Sequence, residues 1–145
     1  MQVCVSGDTK VVLYKGNKVA ISDLLEKGEV KIYSGEFKEG TWIPVIKKAK
    51  AKKIGEQEVI KLVFEDGNEI FCTPDQKLAL KESGEYVEAK DSADKVIATY
   101  NHKGIKVVEV VNTGETKEVY DMEVDGADNF YVNDGRMTIL IHTCS

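Results

Sequence analysis

Short runs in which β-branched or aromatic residues alternate with polar ones recur along the chain: "TKVVLY", "VKIYSG", "EVIKLVFEDG", "NEIFCT", "QKLALK", "KVIATY", "IKVVEVVNTG", "EVYDMEV", "NFYVNDG" and "TILIH". A two-residue period is what a strand with one buried face requires, because successive side chains point to opposite sides of a sheet. Asp66-Gly67, Lys103-Gly104 and Asp134-Gly135 punctuate these runs, at roughly the ten-residue spacing of an all-β domain. "EVIKLVFEDGNEIFCT" alternates on both sides of Asp66-Gly67 and predicts a hairpin with a type I′ turn, whose central residues must tolerate positive φ. "ISDLLEKG" departs from the pattern. Ser22 as cap, Leu24 and Leu25 as an apolar stripe and Gly28 as terminator predict a helix of one or two turns. A strand-turn-strand unit recurs, with no fixed-period repeat.

Composition narrows the class. The 145 residues, 42% of them hydrophobic, suit one compact domain able to bury a genuine core. A net charge of −5 argues against a general nucleic-acid surface, which needs a positive field. The basic run "KKAKAKK", Lys47 to Lys53, reads as a solvated strand or loop. No apolar run approaches the ~18 residues of a membrane span, and the N-terminus lacks the apolar core of a signal peptide. Cys4, Cys72 and Cys144 are an odd number with no Cys-x-x-Cys pair, so neither a disulfide framework nor a zinc finger is indicated. Free thiols suit a reducing compartment, and a cytoplasmic location is expected.

The two ends carry the chemistry. "CVSGDT" puts Cys4 before a small-residue turn and a strand. A thiolate held against its own preceding carbonyl can attack the Val3-Cys4 peptide bond and move the acyl group from nitrogen to sulfur. Such a step needs an amide held out of its ground state, a proton for the departing nitrogen and donors for the oxyanion. The alternative for Cys4 is a buried cysteine acting as a small hydrophobe. At the other end, "LIHTCS" crowds His142, Thr143 and Cys144 together, although the chain has only two histidines and three cysteines.

"CVSGDTKV", "GNEIFCTPDQKLAL", "VYDMEVDGADNFYVNDG" and the final "HTC" follow one another in the order and spacing of inteins. The chain resembles a minimal intein without a homing endonuclease, and more narrowly a bacterial-intein-like domain, whose C-terminal junction residues are often altered. The resemblance runs from Cys4 to Cys144. It implies the all-β, horseshoe-shaped fold shared with hedgehog autoprocessing domains, with a pseudo-two-fold hairpin arrangement that brings first and last residues together. It also implies an intein-like domain over residues 4–143, with residues 1–3 and 144–145 as residual flanks.

What the resemblance implies for function is single-turnover self-processing: a thioester at Cys4, then cleavage or ligation of the flanking segments. Thr73 matches the threonine of the family's Thr-x-x-His motif, which polarises the upstream bond. The motif here reads "TPDQ", so Gln76 replaces the histidine with an amide that hydrogen-bonds but delivers no proton near neutral pH. Asp75, beside it, reads equally as a contributing carboxylate or as a turn residue after Pro74. Asp121 matches an aspartate that moves protons near the first nucleophile. Asp128 stands where many members have a histidine supporting the downstream step, and Phe130 reads as core. His142 matches the penultimate histidine that hydrogen-bonds the downstream scissile carbonyl. Thr143 replaces the asparagine whose side-chain nitrogen would cyclise, so the downstream junction is expected to be impaired. Cys144 stands at the second nucleophile.

Two readings of the same atoms remain open: a self-processing domain, and a degenerate module retained as a binding or structural element. No cofactor is required on either. If the ends meet, Cys4, His142 and Cys144 suit zinc as a reversible inhibitor. His102 in "YNHKG" reads as an exposed turn histidine. The expected partners are the covalently attached flanks, ubiquitin-like by family analogy, with no nucleic acid and no membrane, around a monomer.

Overall fold

The computed structural model describes residues 4–133 and 137–143. Among these, twelve strands and three short 3-10 turns follow one another, with no α-helix. The strands are β1 (Val5–Ser6), β2 (Lys10–Val12), β3 (Lys18–Ala20), β4 (Val30–Lys38), β5 (Thr41–Phe64) and β6 (Glu69–Cys72). They continue as β7 (Lys77–Ala79), β8 (Tyr86–Glu88), β9 (Val96–Ile97), β10 (Ile105–Val124), β11 (Asn129–Asn133) and β12 (Thr138–His142). They form two six-stranded sheets, in the orders β4-β5-β6-β1-β10-β9 and β3-β2-β11-β12-β7-β8.

Two long strands organise the first sheet. β5 and β10 pair antiparallel from Ala49 opposite Val124 to Phe64 opposite Val107, with register breaks at Val107/Glu109, Asn112/Thr116 and Val119/Tyr120. These breaks bend and twist the ribbon, as extra residues in one strand do. "IKVVEVVNTG" and "EVYDMEV", which read as separate strands, are one strand: Gly114, at φ 70°, lies in a bulge at the register break between Asn112 and Thr116. The basic run from Lys47 to Lys53 lies in the middle of β5, so it is strand, and its lysines alternate with the half-buried or buried Ala49 and Ala51.

The hairpin at Asp66-Gly67 forms between β5 and β6, but not with a type I′ turn. Phe64 N donates to Asn68 O at 2.9 Å and Gly67 N to Phe64 O at 2.8 Å, leaving a three-residue loop. Only Gly67, at φ 86°, is left-handed there. Asp66 avoids that region because its Oδ1 accepts from Asn68 N at 3.0 Å, the local side-chain bond that aspartate makes in turns. "ISDLLEKG" forms a single 3-10 turn, Ile21–Leu25, with no side-chain cap bond from Ser22. Of the expected apolar stripe only Leu24 is buried, together with Ile21, while Leu25 is exposed, because a 3-10 turn sets residues three apart on one face; the turn packs on β5. Asp134-Gly135 lies outside the described residues.

The core runs between the sheets, with Val11, Ile32, Leu62, Phe64, Met122, Val132 and Ile139 among its fully buried members. Burial of such side chains is the main favourable term, about 1.5–3 kcal/mol each. β1 lies between β6 and β10 in the first sheet, while β12 lies between β11 and β7 in the second. The four residues joining β6 to β7 therefore cross from the neighbour of the first strand to the neighbour of the last. That crossing segment is Thr73-Pro74-Asp75-Gln76.

Candidate active site

Cys4 directly precedes β1, whose Val5 pairs with Cys72 on one side and Tyr120 on the other. Continuing both registers by one residue sets Cys4 beside Thr73 and across from Asp121. Directly opposed residues in an antiparallel pair present their side chains on the same face. Thr73 N donates to Cys4 O at 2.9 Å, and Cys4 N donates to Thr73 Oγ1 at 2.9 Å. The same hydroxyl reaches Cys4 O at 3.4 Å. The nitrogen of the bond before Cys4 is thus held by a side chain that can both accept and donate. Cys4, Thr73 and Asp121 are all buried, at 1%, 0% and 2% exposure, and Cys4 packs with Val59 and Val119.

The turn closes on itself through Gln76 N, which donates to Thr73 O at 3.1 Å. Its side chain then reaches the other end of the chain. Gln76 Nε2 donates to His142 O at 2.8 Å and to Lys77 O at 3.0 Å, with the residue 2% exposed. The carbonyl so held is the one before Thr143, so the Gln76 amide is spent on the downstream strand. The "TPDQ" turn therefore grips the amide of Cys4 with its first residue and the carbonyl of His142 with its last.

Around Thr143 the ladder of β11 and β12 continues one step: Asn129 pairs with His142, and Thr143 N donates to Asp128 O at 2.8 Å. His142 Nδ1 lies 2.6 Å from Thr143 O. An imidazole donates to that carbonyl when the proton is on Nδ1. Its Nε2 lies 3.4 Å from Asp128 Oδ2, the histidine side chain being 14% and the aspartate 66% exposed. Cys144 lies outside the described residues, as do residues 1–3 and 145.

Two members of this end were not singled out from the sequence. Tyr86 stacks edge-on against the His142 ring, with centroids 4.7 Å apart and an 88° interplanar angle. Its hydroxyl accepts from Asn129 Nδ2 at 3.0 Å and donates to Asp128 Oδ1 at 3.5 Å. Burial, with the nearby Asp128 carboxylate, pushes the phenol up to about 12, against an opposing hydrogen bond from Asn129. Asn129 also clasps Gly35: Gly35 N donates to its Oδ1 at 2.8 Å and its Nδ2 donates to Gly35 O at 3.0 Å. Ser34 Oγ donates to Asn129 O at 2.7 Å. A side-chain amide here ties β11 to β4 of the other sheet. "EYVEA" carries no motif that marks Tyr86, and Asn129 opens "NFYVNDG", a run whose alternation marks a strand and not the reach of one side chain.

The remaining candidates sit elsewhere in the chemistry. Burial, and secondarily Asp75, pushes the Cys72 thiol up, so this fully buried cysteine is a neutral core residue. Asp75 Oδ1 is buried with no hydrogen-bond partner among the described residues. His102, at φ 67° in its loop, has Nδ1 3.2 Å from Thr41 Oγ1. Among the described residues no three His, Cys, Asp or Glu side chains converge to hold a metal ion, and the expected zinc set needs Cys144. No helix among the described residues is long and apolar enough to cross a membrane.

No known protein family's sequence profile matches the chain, and no curated protein sequence does. Solved structures do match. A DnaB intein from Synechocystis sp. PCC 6803 superposes with a TM-score of 0.80 at 26% identity, over 97% of this chain and 98% of that one. The Ssp DnaB mini-intein variant M86 gives 0.81 at 24% identity, over 100% and 97%. A bacterial intein-like domain from Clostridium thermocellum gives 0.69 at 22% identity, over 98% and 99%. Coverage near the whole of both chains leaves no room for an inserted endonuclease, and the all-β horseshoe fold is the one expected.

Proposed function

We propose, on the premise that this chain is a minimal intein-type domain of the HINT fold, that it processes its own backbone through a thioester at Cys4. The thiol sulfur attacks the carbonyl carbon of the preceding residue through a five-membered ring. The carbon–nitrogen bond then breaks, and the nitrogen takes the proton that the thiol gives up. Thr73 Oγ1 holds the amide N–H of Cys4 as acceptor and can turn to donate once that nitrogen gains a free lone pair. Asp121, across from Cys4 by register, is the carboxylate to receive and return the thiol proton. The substrate is the flanking sequence itself, released by a thiol or passed to Cys144.

At the downstream junction, His142 Nδ1 against Thr143 O is arranged to polarise the carbonyl of the Thr143-Cys144 bond. Thr143 has no side-chain nitrogen, so a succinimide cannot form and the usual release is blocked. What supports the whole reading is one observation: the turn from Thr73 to Gln76 holds the Cys4 amide at 2.9 Å and the His142 carbonyl at 2.8 Å. Its rival, an inert module, draws on the near-complete burial of Cys4 among valines. Incubating the domain between two folded flanking proteins with a thiol separates them. Release of the upstream flank that Cys4→Ala abolishes supports processing; an intact chain at all thiol concentrations supports the inert module.

A further inference from the structure

The His142-Thr143 peptide bond is held at both of its polar atoms. Its oxygen accepts from Gln76 Nε2 at 2.8 Å, and its nitrogen donates to Asp128 O at 2.8 Å. Gln76 is 2% and Thr143 7% exposed, so the bond sits where water screens a developing charge weakly. A single well-aimed amide donor on a carbonyl that becomes an oxyanion is worth about 10²–10³ in rate. The residue that follows this carbonyl is a threonine, whose Oγ stands in the same covalent relation to it as the Cys4 sulfur does to the carbonyl before Cys4.

We propose that Thr143 is a nucleophile in its own right, and that the downstream bond this chain opens is His142-Thr143 rather than Thr143-Cys144. Thr143 Oγ forms a bond to the His142 carbonyl carbon through a five-membered ring, and negative charge collects on the oxygen held by Gln76. The carbon–nitrogen bond breaks, and the hydroxyl proton passes to the nitrogen, leaving an ester between His142 and Thr143 with a free α-amine. Water hydrolyses that ester, giving a carboxylate on His142 and a downstream fragment that begins with Thr143. No oxidant, metal or co-reactant besides water enters. On this account Gln76 lies where an oxyanion forms, and Thr143 supplies a different electrophile-nucleophile pair in place of the missing asparagine.

The inference rests on the self-processing reading but not on Cys4, so its test removes Cys4. The full chain with both flanking proteins carries Cys4→Ala and is incubated with and without hydroxylamine, which intercepts esters. Intact mass is then read on both fragments. The expected product ends at His142, as its acid or its hydroxamate, beside a partner beginning with Thr143. Thr143→Val, close in shape but without the hydroxyl, abolishes this product, Thr143→Ser retains it, and Gln76→Leu slows it at least ~10-fold. A break after Thr143, cleavage that survives Thr143→Val, or an intact chain after prolonged hydroxylamine would each overturn the proposal. A folded Thr143→Val, shown by an unchanged amide NMR spectrum away from the tail, excludes misfolding as the cause. Loss of thiol-dependent upstream release in the Cys4-containing chain, with this cleavage retained, overturns the thioester reading alone.

Discussion

Replacing Thr73 by valine removes one oxygen from the centre of the upstream site at nearly constant shape. Thr73 is fully buried, and its Oγ1 accepts the Cys4 N–H at 2.9 Å. The variant leaves that N–H without its acceptor, a penalty of about 1–3 kcal/mol for an orphaned buried donor. For a domain of this length each kcal/mol lowers Tm by roughly 3 °C, so a loss of ~3–9 °C is expected. If the hydroxyl holds the departing nitrogen more strongly in the transition state than in the resting fold by a similar amount, about 1–3 kcal/mol, its loss slows thioester formation about 5- to 160-fold. Calorimetry gives the first number and single-turnover release of the upstream flank by a thiol gives the second. Thr73→Ser, which keeps the oxygen, should recover the rate more fully than the stability, because it lacks the buried methyl group. Equal rates for the wild type and Thr73→Val would refute the role assigned to this hydroxyl.

Other consequences are equally open to measurement. Asn129→Ala leaves Gly35 N and O without the side-chain partners they have at 2.8 and 3.0 Å; a loss of about 2–4 kcal/mol is expected in urea unfolding, and a change under 0.5 kcal/mol, roughly the size of a neutral surface substitution, would contradict the clasp. Cys72 titrates higher folded than unfolded, its shift being upward by burial and then by Asp75. The contribution is therefore intact below its ordinary value of 9.0 and lost as pH rises above it, at up to about 1.4 kcal/mol per pH unit. Cys72→Val should flatten the fall in stability between about pH 9 and pH 10 by about 1 kcal/mol; parallel slopes would be the opposing result. Tyr86→Phe keeps the ring edge on His142 but drops the hydroxyl that contacts Asp128 and Asn129; in a Thr143→Asn background it should slow downstream release several-fold with little change at Cys4, and equal slowing at both ends would show a general packing defect.

The strand pattern made the all-β class legible because each half-buried strand must alternate, and nearly every run named from the sequence lies in a strand. What it concealed has local causes. Gly114 looks like a turn in isolation but occupies a bulge inside a 20-residue strand, since partner pairing along β5 outweighs one residue's preference for turns. Asp66-Gly67 has the composition of a type I′ turn, yet the Asp66 side chain satisfies Asn68 N and selects the longer loop. Short strands such as β8, three half-buried residues in all, give too few alternations to register. Thr73, Gln76 and His142 could be named from motif order, but which carbonyl Gln76 would reach depended on how β6 and β7 sit in different sheets. Tyr86 and the Asn129 side chain act only through partners distant in sequence, and no local pattern encodes that.

The most direct test is to trap the acyl group where it is said to reside. The flanked domain is incubated with excess free cysteine, which captures a thioester and then forms a stable amide, and the mass of the released upstream fragment is measured. The account predicts an upstream fragment ending at Val3 with one added cysteine residue, formed by the wild type and absent from Cys4→Ala. An upstream fragment bearing only a free carboxylate, in equal yield from both proteins, would contradict the thioester at Cys4 and the function built on it.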